Sequence, residues 1–174
     1  MENIKESFPP QETTYLELIG ETIISPTKAG ASMTKKDQCP FKYIDPDIKD
    51  LKKENALEPS EGGKAYVYRE TNKGSLGEIF GSLKKEFDLL SFEKIKQIED
   101  FVKNTPEILQ PKECTTYFLC KNKNHKQVVV AVFRGTCGSF WMYLPKFSMK
   151  YVWVHDKKKY QFVVFSKACV ETQS

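Results

Sequence analysis

Apolar positions along this chain keep two different periods, and the change from one to the other divides it. Between Leu76 and Leu90, residues Leu76, Ile79, Phe80, Leu83, Phe87 and Leu90 recur at helical spacing. Ser75-Leu76-Gly77-Glu78 at the start of that stretch is a capping box, which satisfies the first free backbone N–H groups of a helix. A second helix is predicted with Ser91 as cap and Phe92, Ile95, Ile98 and Val102 facing inward. It ends before Thr105-Pro106, because proline disfavours helical backbone in the residue ahead of it. Each helix is apolar on one side only, so both are expected to lie on a sheet.

The remaining patterns read as strands. Ala65–Arg69 is a short one, and five runs follow the helices: Glu113–Cys120, Gln127–Arg134, Phe140–Leu144, Lys150–His155 and Tyr160–Lys167. Their links are short, which favours antiparallel neighbours, since a parallel pair needs a crossover of roughly a dozen residues or more. A turn centred on Phe147 sets Ser139 opposite His155, Trp141 opposite Trp153 and Tyr143 opposite Tyr151. The next turn, Asp156–Lys159, sets Trp153 beside Phe162 and His155 beside Tyr160. Side chains alternate along a strand. One face therefore gathers Trp141, Tyr143, Tyr151, Trp153, Tyr160 and Phe162. Phe140, Met142, Leu144, Val152, Val154, Val163 and Phe165 gather on the other, the expected seat of both helices.

The first third of the chain is punctuated differently. Six of its nine prolines fall before position 61, which breaks long regular elements. Tyr15–Ile24 fits a helix or a bent strand equally. Asp45 can cap a short helix that starts at Pro46 and turns Ile48 and Leu51 to one side. The expected fold is α+β: an antiparallel five- to six-stranded meander, two amphipathic helices on one face, and an irregular N-terminal wrap. Residues 1–63 form that proline-rich segment, packed on or leading into a single α+β domain of residues 64–174.

Composition narrows the class. With 174 residues, 40% hydrophobic and 13% aromatic, the chain can build a core and is not wholly disordered. Met1–Glu6 carries acids where a signal peptide carries positive charge. The longest apolar run, Val128–Phe133, is far short of the roughly 20 residues that span a bilayer. These features predict a soluble, cytoplasmic protein without membrane insertion. Five cysteines without framework spacing predict free thiols. Of 27 basic residues only Arg69 and Arg134 are arginine, so bidentate forks for phosphates or bases are scarce.

The chemistry-bearing residues are few. Cys137 lies in the glycine-flanked turn Arg134-Gly135-Thr136-Cys137-Gly138-Ser139, within expected reach of His155. A thiol, an imidazole base and Asp156 as its orienter make a minimal nucleophilic set. Asp156 adjoins His155, however, and strand neighbours point apart. Gly135–Trp141 resembles the segment around the papain nucleophile, but Phe140 holds the nucleophile's position here. Val128–Thr136 is similar to the strand and Arg-Gly-Thr turn of class three lipases, yet no Gly-x-Ser-x-Gly elbow follows it. Neither family is assigned. Cys114, Cys120, His125, Cys137, His155 and Cys169 show no zinc-ligand spacing, and no phosphate-cradling glycine motif occurs, so neither metal nor cofactor is expected.

The leading expectation is an interaction protein that binds a protein partner through Trp141, Tyr143, Tyr151, Trp153, Tyr160 and Phe162, with Arg134 as an anion contact, or through its N-terminal segment. Aromatic cross-strand pairs also stabilise a sheet on their own account. A nonspecific single-stranded nucleic-acid binder, held weakly by aromatic stacking and lysines, is the second reading. A hydrolase or transferase using Cys137 and His155 is the third.

Overall fold

The β-branched and aromatic runs pair into one sheet in the computed structural model, which describes residues 15–29, 39–55, 59–83, 91–107, 109, 114–122, 124, 126–145 and 160–167. The strands are β1 (Leu16–Ile24), β2 (Phe41–Ile44), β3 (Gly63–Glu70), β4 (Thr115–Lys121), β5 (Gln127–Arg134), β6 (Phe140–Tyr143) and β7 (Tyr160–Lys167). The helices are α1 (Pro46–Asn55), α2 (Leu76–Ser82) and α3 (Ile95–Asn104). All seven strands form one sheet in the order β1-β3-β7-β4-β5-β6-β2.

Three expectations fail against this order. The meander is antiparallel only through β4, β5 and β6. Strand β7 leaves that succession, pairs parallel with β4 and antiparallel with β3, and makes the seven-stranded sheet mixed. Its sequence supplies the reason. Phe162, Val163, Val164 and Phe165 are apolar on both faces and need cover on both, which a central position gives. The run Lys150–His155, proposed as the neighbour of β6, lies outside the described residues.

The described part of the N-terminal third is not an irregular wrap, because it contributes strands β1 and β2, at the two ends of the strand order, and helix α1. Tyr15–Ile24 resolves as strand β1, bent by a bulge between Leu18 and Gly20. Phe41–Ile44, between two prolines, pairs in parallel with β6. Asp45 caps α1 as expected: its Oδ1 accepts the Asp47 N–H at 3.0 Å, and Ile48 and Leu51 turn inward.

The helices also divide between the faces instead of sharing one. Helices α1 and α3 pack with Phe118, Val130, Val132, Met142, Val163 and Phe165. Leu76, Ile79 and Phe80 of α2 pack on the opposite face, with Tyr66, Tyr68, Tyr117, Phe162 and Val164. The protein is therefore layered helix, sheet, helix, and β4 is buried along both sides.

Local chemistry fixes the helix starts. The α2 capping box is complete: Glu78 N–H donates to Ser75 Oγ at 3.2 Å, and Ser75 N–H donates to Glu78 Oε2 at 2.8 Å. Hydrogen bonds to that carboxylate from the Ser75 N–H and, at 2.8 Å, from the Ser75 hydroxyl hold the Glu78 carboxyl below its ordinary range. Helix α3 starts at Ile95, later than the Ser91 cap implies. Phe92 instead extends the sheet beside β4: its N–H donates to Leu119 O and its C=O accepts from Lys121 N–H, both at 2.8 Å. Strand β7 pairs only with Thr115–Phe118 of β4, so Phe92 satisfies backbone groups further along. Gln97 then replaces a serine cap, its Oε1 accepting the N–H groups of Glu93 and Lys94 at 3.2 and 3.1 Å. Among the described residues no helix is long and apolar enough to cross a membrane.

Gly62 marks a close approach. A Cβ there would stand 2.7 Å from Ile24 O and 3.0 Å from Pro26 Cδ, whereas one at Gly20 would meet nothing within 4 Å. Gly62→Ala is expected to cost about 1–3 kcal/mol, seen as a lower urea midpoint. Gly20→Ala should leave that midpoint close to wild type, and equal shifts for the two would contradict the geometry. The capping box carries its own pH dependence. Its Glu78 contribution is present above the unfolded carboxylate pKa and is lost as pH falls through the lower folded value. Glu78→Gln should therefore narrow the stability difference between neutral and acidic pH, read by denaturation at each.

Candidate functional site

Sheet register places aromatic side chains in transverse rows on the α2 face. Tyr43 pairs with Trp141, Trp141 with Phe133, Phe133 with Thr115, and Thr115 with Tyr160. Arg69 pairs with Gln161, so the following Glu70 stands beside Tyr160. With strands about 4.8 Å apart, the five intervals from Tyr43 to Glu70 make a row about 24 Å long. A second row lies two residues further along each strand: Tyr143 pairs with Ala131, Ala131 with Tyr117, Tyr117 with Phe162, and Phe162 with Tyr68.

The two rows differ in cover. Tyr68, Tyr117 and Phe162 are buried, with Phe80 of α2 set edge-on to Phe162 at 5.5 Å between centroids. Tyr117 stacks on Phe162 at 5.5 Å and meets Tyr160 at 5.8 Å. The first row opens toward β2. Phe133 and Tyr160 are half-buried, Trp141 is 42% exposed and Tyr43 47%. Their rings lie 6.0 Å apart with 42° between planes, a shallow wedge at the sheet's β2 edge.

Electrostatics vary along the row. Burial pushes the Tyr117, Tyr143 and Tyr160 hydroxyls above the usual phenol range, so all three stay protonated at neutral pH. A hydrogen bond with Thr115 partly opposes this at Tyr143. Nearby Glu70, Cys114 and the phenols themselves push Tyr117 and Tyr160 further in the same direction. At the other end, exposed Lys42 adjoins Tyr43 in a register irregularity of β2.

The β5–β6 turn closes the same end of the sheet. Gly135 N–H donates to Ser139 O at 2.8 Å, Gly138 N–H donates to Gly135 O at 2.9 Å, and Gly138 takes φ 84°, which favours glycine. Cys137 sits exposed at the tip, its Sγ 3.2 Å from Ser139 Oγ. The Ser139 side chain, then its backbone, and more weakly the Lys42 charge hold this thiol below its usual pKa. Burial does the reverse to Cys114, pushed up to about 11, and to Cys120, pushed up to about 12.

Of the residues singled out by sequence, Trp141, Tyr143, Tyr160 and Phe162 share one face, with Phe162 beneath α2. Arg134 points to the other face, its guanidinium 5.5 Å from the Phe140 ring centroid. Its Nε and Nη1 are shielded from solvent and make no hydrogen bond among the described residues. Tyr151, Trp153, His155 and Asp156 lie outside the described residues, so Cys137 is placed without the base and orienter proposed for it. No group of three potential metal ligands occurs among the described residues. Sequence reasoning missed Tyr43, Phe133 and Glu70. Phe133 had a visible signal, lying on the same side of its strand as Ala131. Tyr43 enters only through a parallel pairing across the chain. Comparison with protein-family models, with curated proteins and with solved structures finds no match for this chain.

The thiols should react in a fixed order. Iodoacetamide near neutral pH is expected to alkylate Cys137 faster than a model thiol, while Cys114 and Cys120 stay unmodified in the folded protein. Ser139→Ala removes the largest cause of the low Cys137 pKa, so its reaction should slow at pH 7 and approach wild type at alkaline pH. A Cys137 rate unaffected by Ser139→Ala would contradict the assigned hydrogen bond.

Proposed function

We propose that this protein is an interaction module that seats a protein partner on the row formed by Tyr43, Trp141 and Phe133. The observation that carries the reading is the pairing of two large rings, 47% and 42% exposed, beside a sheet interior that buries its other described aromatics wholly or in part. Tryptophan and tyrosine combine a large apolar body with a hydrogen-bonding tip, and they recur among the residues that dominate binding energy at interfaces. Exposed Lys42 beside Tyr43 favours a second reading, in which single-stranded nucleic acid stacks on the same rings. Arginine, whose planar fork grips phosphate at two points, occurs only at positions 69 and 134, so the protein partner leads.

A photo-crosslinking phenylalanine in place of Trp141 should trap a protein that untagged wild type competes away, and the same probe at exposed Lys64 should not. Equal yields at the two positions would sink the surface. With the trapped partner in hand, Tyr43→Ala combined with Trp141→Ala should weaken binding by about 2 kcal/mol or more while the denaturation midpoint stays near wild type. Binding of a labelled oligonucleotide that falls steeply with salt and requires the same two rings would instead favour the nucleic-acid reading.

A further inference from the structure

Arg134 ends β5 on the face opposite the aromatic row, and there it belongs to a row of its own. Phe41 pairs with Phe140, Phe140 pairs with Arg134, and the Arg134 N–H donates to Cys114 O at 3.2 Å. The guanidinium carbon lies 5.5 Å from the centroid of the buried Phe140 ring. A contact of this kind engages the face of the cation, whereas its N–H donors point outward in its plane and need acceptors of their own. Nε and Nη1 carry three of those five donors, are shielded from solvent, and have no hydrogen-bond acceptor among the described residues.

The charge is unmatched as well. No carboxylate among the described residues pairs with Arg134. Its row neighbours are neutral: Phe41 and Phe140 carry no ionisable group, and burial pushes the Cys114 thiol up to about 11, which keeps it protonated at neutral pH. Arginine holds its charge at any ordinary pH, so the group cannot escape burial by losing a proton. A cation with shielded donors and no counter-charge costs the folded chain stability, and a ligand that supplies both charge and acceptors removes that cost.

The ligand's chemistry follows from this balance. It must bring negative charge and two oxygens spaced to meet neighbouring N–H groups, as carboxylates and phosphates both do. One guanidinium offsets one charge. A phosphate carries about 1.5 to 2 at neutral pH and would keep an excess beside neutral side chains, whereas a carboxylate is matched. The third nitrogen, Nη2, is not one of the orphaned atoms, and the residue as a whole is half-buried, so the side chain is not sealed off.

We propose that Arg134 is a binding site for a single carboxylate, received on the fork of its guanidinium beside the Phe140 ring. The site lies on the other face from the aromatic row and does not depend on it. An acidic side chain of a protein and a small free carboxylic acid share this chemistry.

The chain has two arginines, so the side-chain Nε–H region of a proton–nitrogen NMR spectrum holds two signals. Arg69→Lys, at an exposed position, identifies the one from Arg134. Acetate should move the Arg134 signal in a saturating titration and leave that of Arg69 in place. Phosphate at matched ionic strength should bind about tenfold more weakly. A capped glutamate should match acetate if the ligand is a protein side chain, and fall short of it if the site admits only a small free acid. Should the signal be too broad to follow, the urea midpoint decides: acetate in place of chloride at equal ionic strength should raise it in wild type and not in Arg134→Lys. An Arg134 signal that acetate leaves unmoved, or moves no more than that of Arg69, overturns the site. Phosphate binding as tight as acetate's overturns its assignment to a carboxylate.

Discussion

The parallel junction between β4 and β7 is the contact on which the rest of the sheet depends. One side holds the β1–β3 pair and the other the β4–β5–β6 meander with β2 at its edge, and among the described strands β7 joins them. Because β7 and β4 are apolar toward both faces, joining them creates two surfaces that must leave water. One helix layer covers each: α1 and α3 on the aliphatic surface, α2 on the aromatic one. The same junction brings Tyr160 and Glu70 into line with Thr115, Phe133 and Trp141. Without it the aromatic row would stop at β4.

Much of the local structure was legible because local chemistry decides it. Ser75 and Glu78 set the start of α2, Asp45 and Pro46 that of α1, and the limits of β5 and β7 follow from their apolar runs. What could not be read is which strands meet at long range. Phe41–Ile44 is too short and too closely bracketed by prolines to stand out, and its partner Phe140–Tyr143 lies far along the chain. An amphipathic pattern shows that a helix has an inner side without showing which face of a sheet it meets, so α2 was assigned to the wrong one. Ser91 is a good cap in isolation, but its neighbour Phe92 is held by the β4 backbone and the helix starts later.

The candidate site was half legible for related reasons. Alternation puts Trp141 with Tyr143 along β6 and Tyr160 with Phe162 along β7, which needs only the period of a strand; the link expected between the two pairs ran through Lys150–His155, outside the described residues, and the structure makes it through β5 and β4 instead. Which of them stay open depends on where α2 lies, and this separates Phe162 from Trp141. Arg134 shows the opposite case: a rare arginine in a lysine-rich chain invites a recognition role on the aromatic face, but it stands over Phe140 at the rim of the aliphatic layer. Glu70 joins the aromatic face only through the pairing of β3 with β7, which no local pattern announces.

The central place of β7 also constrains how the protein is made. Strands β1 to β6 precede it in the chain, so a polypeptide leaving the ribosome can form the β1–β3 pair and the β4–β6 meander while β3 and the Thr115–Phe118 part of β4 still await their neighbour. Unpaired strand edges attract other chains. Residues 160–167 supply the neighbour of both, antiparallel to β3 and parallel to β4. The strand that fills the middle of the sheet is thus also the one that takes these two inner edges out of reach of other chains.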